Sequence, residues 1–90
     1  MDPVSQAQAD ILRYLIAHLD ARDAIEGIEK WWLPQDRQYG ISDISAALIE
    51  LEHRRLIAVW TPASSEAVYG RAPVNPALLA ARLRELERDR

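Results

Sequence analysis

Residues 41–61, ISDISAALIELEHRRLIAVWT, decide the fold that we predict for this chain. Ser42 is a good N-cap, and the residues from Ser42 to about Arg55 have the apolar periodicity of an amphipathic helix. The buried stripe of this helix is expected to be Ile44, Ala47, Leu48 and Leu51. Residues 56–61 follow at once, and they are β-branched and aromatic enough to form a strand.

The chain after this strand has the pattern of a hairpin and a final helix. Residues 62–65 are typical of a turn with Ser64 and Ser65 near its tip, and residues 67–71 predict the returning strand. A cap followed by proline at residues 75–76 then starts a last helix, which extends to about residue 89.

Two helices are expected before residue 41. Asp2 can cap the first, with Pro3 at its first position, and we expect this helix to end near Asp20. The second has Asp23 as its N-cap, with Glu26 completing a capping-box pattern, and a proline ends it. Its inward face is expected to hold Ile25, Ile28 and Trp32. We therefore predict a mainly α protein with a small antiparallel β-hairpin (α+β).

Composition narrows the class of protein. The chain has 90 residues, which predicts a single domain, and it contains no cysteine to form disulfides or thiolate metal sites. No apolar run approaches the roughly 20 residues of a membrane span, and the start of the sequence lacks the pattern of a signal peptide. A cytoplasmic protein without membrane association is therefore expected. The net charge of −3 gives no general affinity for polyanions.

The order helix, helix, helix, hairpin, helix resembles a winged helix-turn-helix domain, with its core over about residues 4–72. The resemblance implies that residues 42–55 form the recognition helix and residues 56–71 the wing. It also implies that Ile41 ends a short strand pairing with the hairpin. The last helix, about residues 76–89, resembles the dimerisation helix that such bacterial regulators often carry.

The leucines of the last helix follow a 4, 3 spacing like that of a short coiled-coil seam. They are Leu79, Leu83 and Leu86. This spacing predicts a homodimer that forms through the last helix. In the alternative, the helix folds back on its own domain.

DNA binding by a transcriptional regulator is the first function that the resemblance implies. The residues that could form one DNA-facing edge are Arg37, Gln38, Ser42, Ser45, Arg54 and Arg71. The charge pattern argues against DNA, because Asp43 and Glu50 on the third helix would repel phosphates and Ile49 faces outward on the helical wheel. DNA binding is ranked narrowly above the alternative function, and this ranking rests on fold analogy alone.

A protein-interaction module that kept the winged-helix frame and lost its DNA surface is the alternative. Ile49 and Trp31 are the candidate interface residues, since an exposed tryptophan is a common anchor. Trp31 has a second interpretation, in which it packs under the wing or the last helix. The sequence has no phosphate-binding glycine loop and no catalytic motif, and the Glu50 to His53 spacing lies on a solvated face. We therefore expect no enzyme, no cofactor and no metal site.

Overall fold

The computed structural model describes residues 2–63 and 66–88, which form helices around a small sheet. In chain order the elements are α1 (Pro3–Ala17), β1 (Arg22–Asp23), α2 (Ile25–Gly27), a π-helical segment (Ile28–Trp32), α3 (Ile41–His53), β2 (Ile57–Trp60), β3 (Val68–Arg71) and α4 (Pro76–Arg88). This architecture confirms the mixed α+β class. The predicted hairpin tip at Ser64 and Ser65 lies outside the described residues, as does residue 89 at the predicted end of α4. No helix in the described ranges is both long and apolar enough to span a membrane.

The predicted caps of the first and last helices are confirmed. The Asp2 carboxylate accepts a 2.8 Å hydrogen bond from the Ser5 amide, and Pro3 is the first residue of α1. The Asn75 side chain accepts a 2.9 Å hydrogen bond from the Ala77 amide at the start of α4. Because these side chains satisfy amides that lack a partner within the helix, they fix where each helix begins. The end of α1 comes at Ala17, before the predicted Asp20.

A three-stranded antiparallel sheet has the order β1-β3-β2. The hairpin strands pair in the predicted region, with Ile57 opposite Arg71 and Trp60 opposite Val68. The expected third strand ending at Ile41 is wrong. Residues 22–23 supply the third strand instead, whereas Ile41 is the first residue of α3 and Gly40 is its N-cap.

The second helix is shorter and less regular than the predicted one. Asp23 belongs to β1, so Ala24 is the N-cap of α2, and its side chain makes no capping hydrogen bond. The Asp23 carboxylate still accepts a 3.0 Å hydrogen bond from the Ala24 amide. A β-carbon on Gly27 would overlap that carboxylate, and glycine therefore lets Asp23 lie against the helix.

One buried apolar cluster joins α1, α3, the sheet and α4. Its fully buried side chains include Ile11, Leu12, Leu15, Ile28, Ile44, Leu48, Leu51 and Leu79. Leu79 is 0% exposed and Leu86 is 4% exposed, and α4 packs along α1 with Leu83 against the same core. The burial of Leu79 and Leu86 agrees with the alternative in which the helix folds back on its own domain, whereas Leu83 is only partly buried, and dimerisation stays a prediction.

Candidate interaction surfaces

The outward face of α3 combines exposed apolar and polar side chains. Ile49 is 66% exposed and Ile41 is 53% exposed, while Ile44, Leu48 and Leu51 on the other side lie in the core. At about 100° per residue, the side chains within 80° of Ile49 include two serines, an acid and a histidine. These are Ser42, Ser45, Glu52 and His53. We call this set, with Ile41 and Ile49, the α3 face.

The charged groups flanking the α3 face are engaged within the helix. The Asp43 carboxylate accepts a 3.2 Å hydrogen bond from the Gly40 amide, which closes the start of α3. At the other end, Nε of Arg54 donates a 2.9 Å hydrogen bond to Oε1 of Glu50, one turn earlier. Residues 41–53 contain no lysine or arginine. The α3 face therefore lacks the positive charge that phosphate groups require.

Arg37 and Gln38 lie together in a groove beside the start of α3. The groove has a volume of about 240 Å³, and Tyr39 and Ile44 also line it. Nε of Arg37 lies 3.4 Å from Oδ2 of Asp10, and this carboxylate raises the pKa of the guanidinium. The arginine predicted to contact DNA here thus pairs with an acid of α1.

Asp10 is the centre of a network that sequence reasoning missed. Its side chain is 3% exposed, and its Oδ1 accepts a 2.8 Å hydrogen bond from Nη1 of Arg13. Nη2 of the same arginine donates a 2.9 Å hydrogen bond to Glu87 on α4. One signal in the sequence could have indicated this network. Asp10 lies in the part of the first helix that is buried, and a buried carboxylate requires hydrogen-bond or charge partners.

Arg71 is held by the backbone of its own chain. Its Nε donates to the Leu19 carbonyl at 3.2 Å, and its Nη1 donates to the Val74 carbonyl at 2.8 Å. These bonds join the end of β3 to the segment after α1 and to the segment before α4. The DNA interpretation assigned the Arg71 guanidinium to the DNA-facing edge. In the structure it instead connects separate segments of the fold.

The six predicted DNA-binding residues are not brought together. Arg37 and Gln38 share one groove, whereas Arg71 lines a different groove at the edge of the sheet. Ser42 and Arg54 lie twelve residues apart on α3, which corresponds to about 18 Å along the helix axis. Ser42 and Ser45 belong to the α3 face, Arg37 and Gln38 lie beside the start of α3, and Arg71 lies at the edge of the sheet.

Trp31 points into solvent, so the interpretation in which it packs under the wing or α4 is wrong. In the π-helical segment the Leu33 amide donates a 3.2 Å hydrogen bond to the Ile28 carbonyl, five residues back. The wider turn buries Trp32 and Leu33 and leaves Trp31 69% exposed. The Lys30 ammonium lies 6.0 Å from the centre of the Trp31 ring.

Residues 2–63 and 66–88 contain no cluster of three or more histidine, aspartate and glutamate side chains that could hold a metal ion. Comparisons of the chain with protein-family models, with curated proteins and with solved structures find no match. Because these comparisons find no match, the proposed function rests on the chemistry of the exposed surfaces.

Proposed function

We propose that this chain is a non-enzymatic module that binds another protein through the α3 face. The observation that carries the proposal is the 66% exposure of Ile49 at the centre of that face. Ile41, which is 53% exposed, adds a second large apolar side chain to the same side of the helix. Neighbouring apolar groups of this kind stabilise a complex when a partner removes them from water.

The charges around the α3 face support a protein partner over DNA. Glu52 lies on the face, and Asp43 and Glu50 flank it. The absence of lysine and arginine from residues 41–53 leaves no group there that could replace the counterions of a phosphate backbone. A surface with apolar side chains at its centre and polar side chains around them has the composition of a protein interface.

DNA binding is the second candidate, and the order of the elements favours it. The hairpin β2–β3 follows α1, then α2 with the π-helical segment that continues it, and then α3, which is the order that the winged-helix resemblance requires. In that resemblance α3 would be the recognition helix. The chemistry argues against DNA binding, because the guanidinium groups of three candidate residues each have an acceptor within the chain. These residues are Arg37, Arg54 and Arg71.

Site-specific photo-crosslinking tests the proposal. The photoreactive amino acid p-benzoylphenylalanine replaces Ser45 on the α3 face, and the protein is irradiated in the cells that naturally express it. We expect one discrete protein adduct. Ile49→Asp should abolish this adduct, because the charge would have to be buried without a partner at the interface.

Leu78→Asp is the matched control, since Leu78 is also a large apolar residue and is 51% exposed, but on α4. This variant should retain the adduct. The proposal fails if the Ser45 probe yields no discrete adduct, if Ile49→Asp leaves the adduct unchanged, or if the adduct contains DNA.

A further inference from the structure

A stacked pair of side chains lies at the edge of the sheet, outside α3. The Arg22 guanidinium lies over the Trp60 ring, 4.2 Å from its centre. None of the residues 2–63 and 66–88 supplies a hydrogen-bond acceptor or a carboxylate to this guanidinium. Stacking on an aromatic ring holds the planar group in place, so its five N–H donors are oriented before a ligand arrives.

The sheet register explains how Arg22 and Trp60 meet. Arg22 is opposite Gly70, and Trp60 is opposite Val68, two positions along the same strand. All four residues therefore lie on one face of the sheet. A β-carbon on Gly70 would lie 2.9 Å from Cγ of Arg22 and 3.2 Å from Trp60, so the glycine allows the indole to reach the guanidinium.

Arg71 also lines the groove, but it is opposite Ile57 and therefore projects from the other face of the sheet than Arg22. The carbonyl groups of Leu19 and Val74 accept from its Nε and Nη1, which fixes the side chain. Its Nη2 makes no hydrogen bond to a residue in the described ranges. The donor group oriented for a ligand in this groove is thus the Arg22 guanidinium, and a bidentate oxyanion would complete its hydrogen bonds.

The groove has the size and lining of a small-ligand site. Its volume is about 460 Å³, within the roughly 300–1,000 Å³ typical of such sites. Leu19, Ala72 and Pro73 join the indole of Trp60 as apolar walls. The groove also contains one acid, Asp20, against the two arginines. A ligand that fits this lining has an apolar or aromatic body and one carboxylate or phosphate group.

We propose that this groove binds a small aromatic oxyanion through Arg22 and Trp60. The oxyanion accepts hydrogen bonds from the Arg22 guanidinium, and the body of the ligand lies against the indole and the apolar walls. None of the lining residues belongs to α3. The site is therefore separate from the protein-binding surface, and its failure would leave that proposal untouched.

Nuclear magnetic resonance of the indole N–H groups tests the site directly. The chain has three tryptophans, and the Trp60→Phe spectrum assigns the Trp60 signal. The probes are phenyl phosphate, benzoate, benzyl alcohol and inorganic phosphate. We expect phenyl phosphate and benzoate to shift the Trp60 signal saturably. Benzyl alcohol lacks the charge and inorganic phosphate lacks the body, so each should bind about tenfold more weakly than phenyl phosphate.

Arg22→Gln should lower the affinity for phenyl phosphate by about tenfold or more, because it removes a charged donor. Arg22→Lys keeps the charge and loses the planar stack, and it should also weaken binding. Arg84→Gln is the control for net charge, since Arg84 is exposed on α4, and it should change the affinity less than about twofold.

Three results would overturn the proposal. The first is a Trp60 signal that phenyl phosphate and benzoate leave in place. The second is an equal loss of affinity in Arg22→Gln and Arg84→Gln, which would indicate general electrostatic attraction. The third is a Trp60 shift produced by duplex DNA and by no small oxyanion, which would assign the groove to a nucleic-acid backbone.

Discussion

The hydroxyl group of Tyr39 donates a 2.6 Å hydrogen bond to Oδ2 of Asp10, whose side chain is 3% exposed. This bond attaches the segment before α3 to α1. Through Arg13, the other oxygen of the same carboxylate is connected to Glu87 on α4. One buried acid thus positions both α3 and α4 against the first helix.

Tyr39→Phe should therefore destabilise the whole domain. The substitution removes the shortest hydrogen bond of the Asp10 carboxylate, and we expect the free energy of unfolding to fall by about 1–3 kcal/mol. Urea denaturation followed by circular dichroism measures this loss. Tyr69→Phe is the control, because no described residue accepts a hydrogen bond from Tyr69; it should cost less than about 0.5 kcal/mol. Equal losses in the two variants would show that the Asp10 bond contributes nothing.

The same contact predicts how stability depends on pH. Burial, and then the hydrogen bond to Asp10, raise the pKa of Tyr39 to about 12 from its usual 10.0. Because the folded state favours the protonated phenol, this contribution is fully present below pH 10 and is lost as the pH rises through 12. We expect the free energy of unfolding to decrease over this interval, and to decrease less in Tyr39→Phe. An absorbance titration in which Tyr39 ionises near pH 10 would refute the shift.

Gly70→Ala should disturb the sheet. Its β-carbon would lie 2.9 Å from the Ala21 carbonyl oxygen, a backbone atom that cannot move independently. We expect a loss of about 1–3 kcal/mol from this overpacking. Thermal unfolding measures it against Gly40→Ala, where the nearest atoms are 3.6 Å away and the expected loss of up to about 1 kcal/mol comes from alanine at the N-cap. If Gly70→Ala is as stable as Gly40→Ala, the close approach of β1 and β3 is incorrect.

Two adjacent leucines of α4 test whether that helix is part of the domain. Leu79 is 0% exposed and Leu78 is 51% exposed. Leu79→Ala should reduce the free energy of unfolding by about 2–5 kcal/mol, because it leaves a cavity in the core. Leu78→Ala should change it by less than about 0.5 kcal/mol. Chemical denaturation of both variants measures the difference; similar small effects would mean that α4 does not pack on α1.

The sequence was informative where a signal is local. The caps at Asp2 and Asn75 and the buried stripe of α3 depend on residues within one or two helical turns, and all three are confirmed. The caps predicted at Asp23 and Ser42 are wrong, because Ala24 and Gly40 take those positions. The sheet was harder, because β1 has only two residues and cannot show an alternating pattern. Its assignment requires the pairing of Arg22 with Gly70, which only the folded chain reveals.

The surfaces could be predicted only in part, for a similar reason. The exposure of Ile49 follows from the helical wheel and is confirmed. The sequence left two interpretations of Trp31 open, and its exposure agrees with the one that made it an interface candidate. The partners of Arg37 and Arg71 are an acid of α1 and two backbone carbonyls, all distant in sequence. From composition alone these arginines are therefore taken as surface charges. In the structure their guanidinium groups bind other groups of the same chain.

Fluorescence anisotropy of a labelled random-sequence duplex most directly tests whether surface chemistry excludes DNA as the ligand of α3. The titration begins at about 20 mM salt, where non-specific binding is strongest, and continues through a salt series. We expect no binding at any salt concentration, because Arg37, Arg54 and Arg71 have acceptors within the chain. Binding that weakens steeply with salt and is lost in Arg54→Gln would contradict this, and would make α3 a recognition helix.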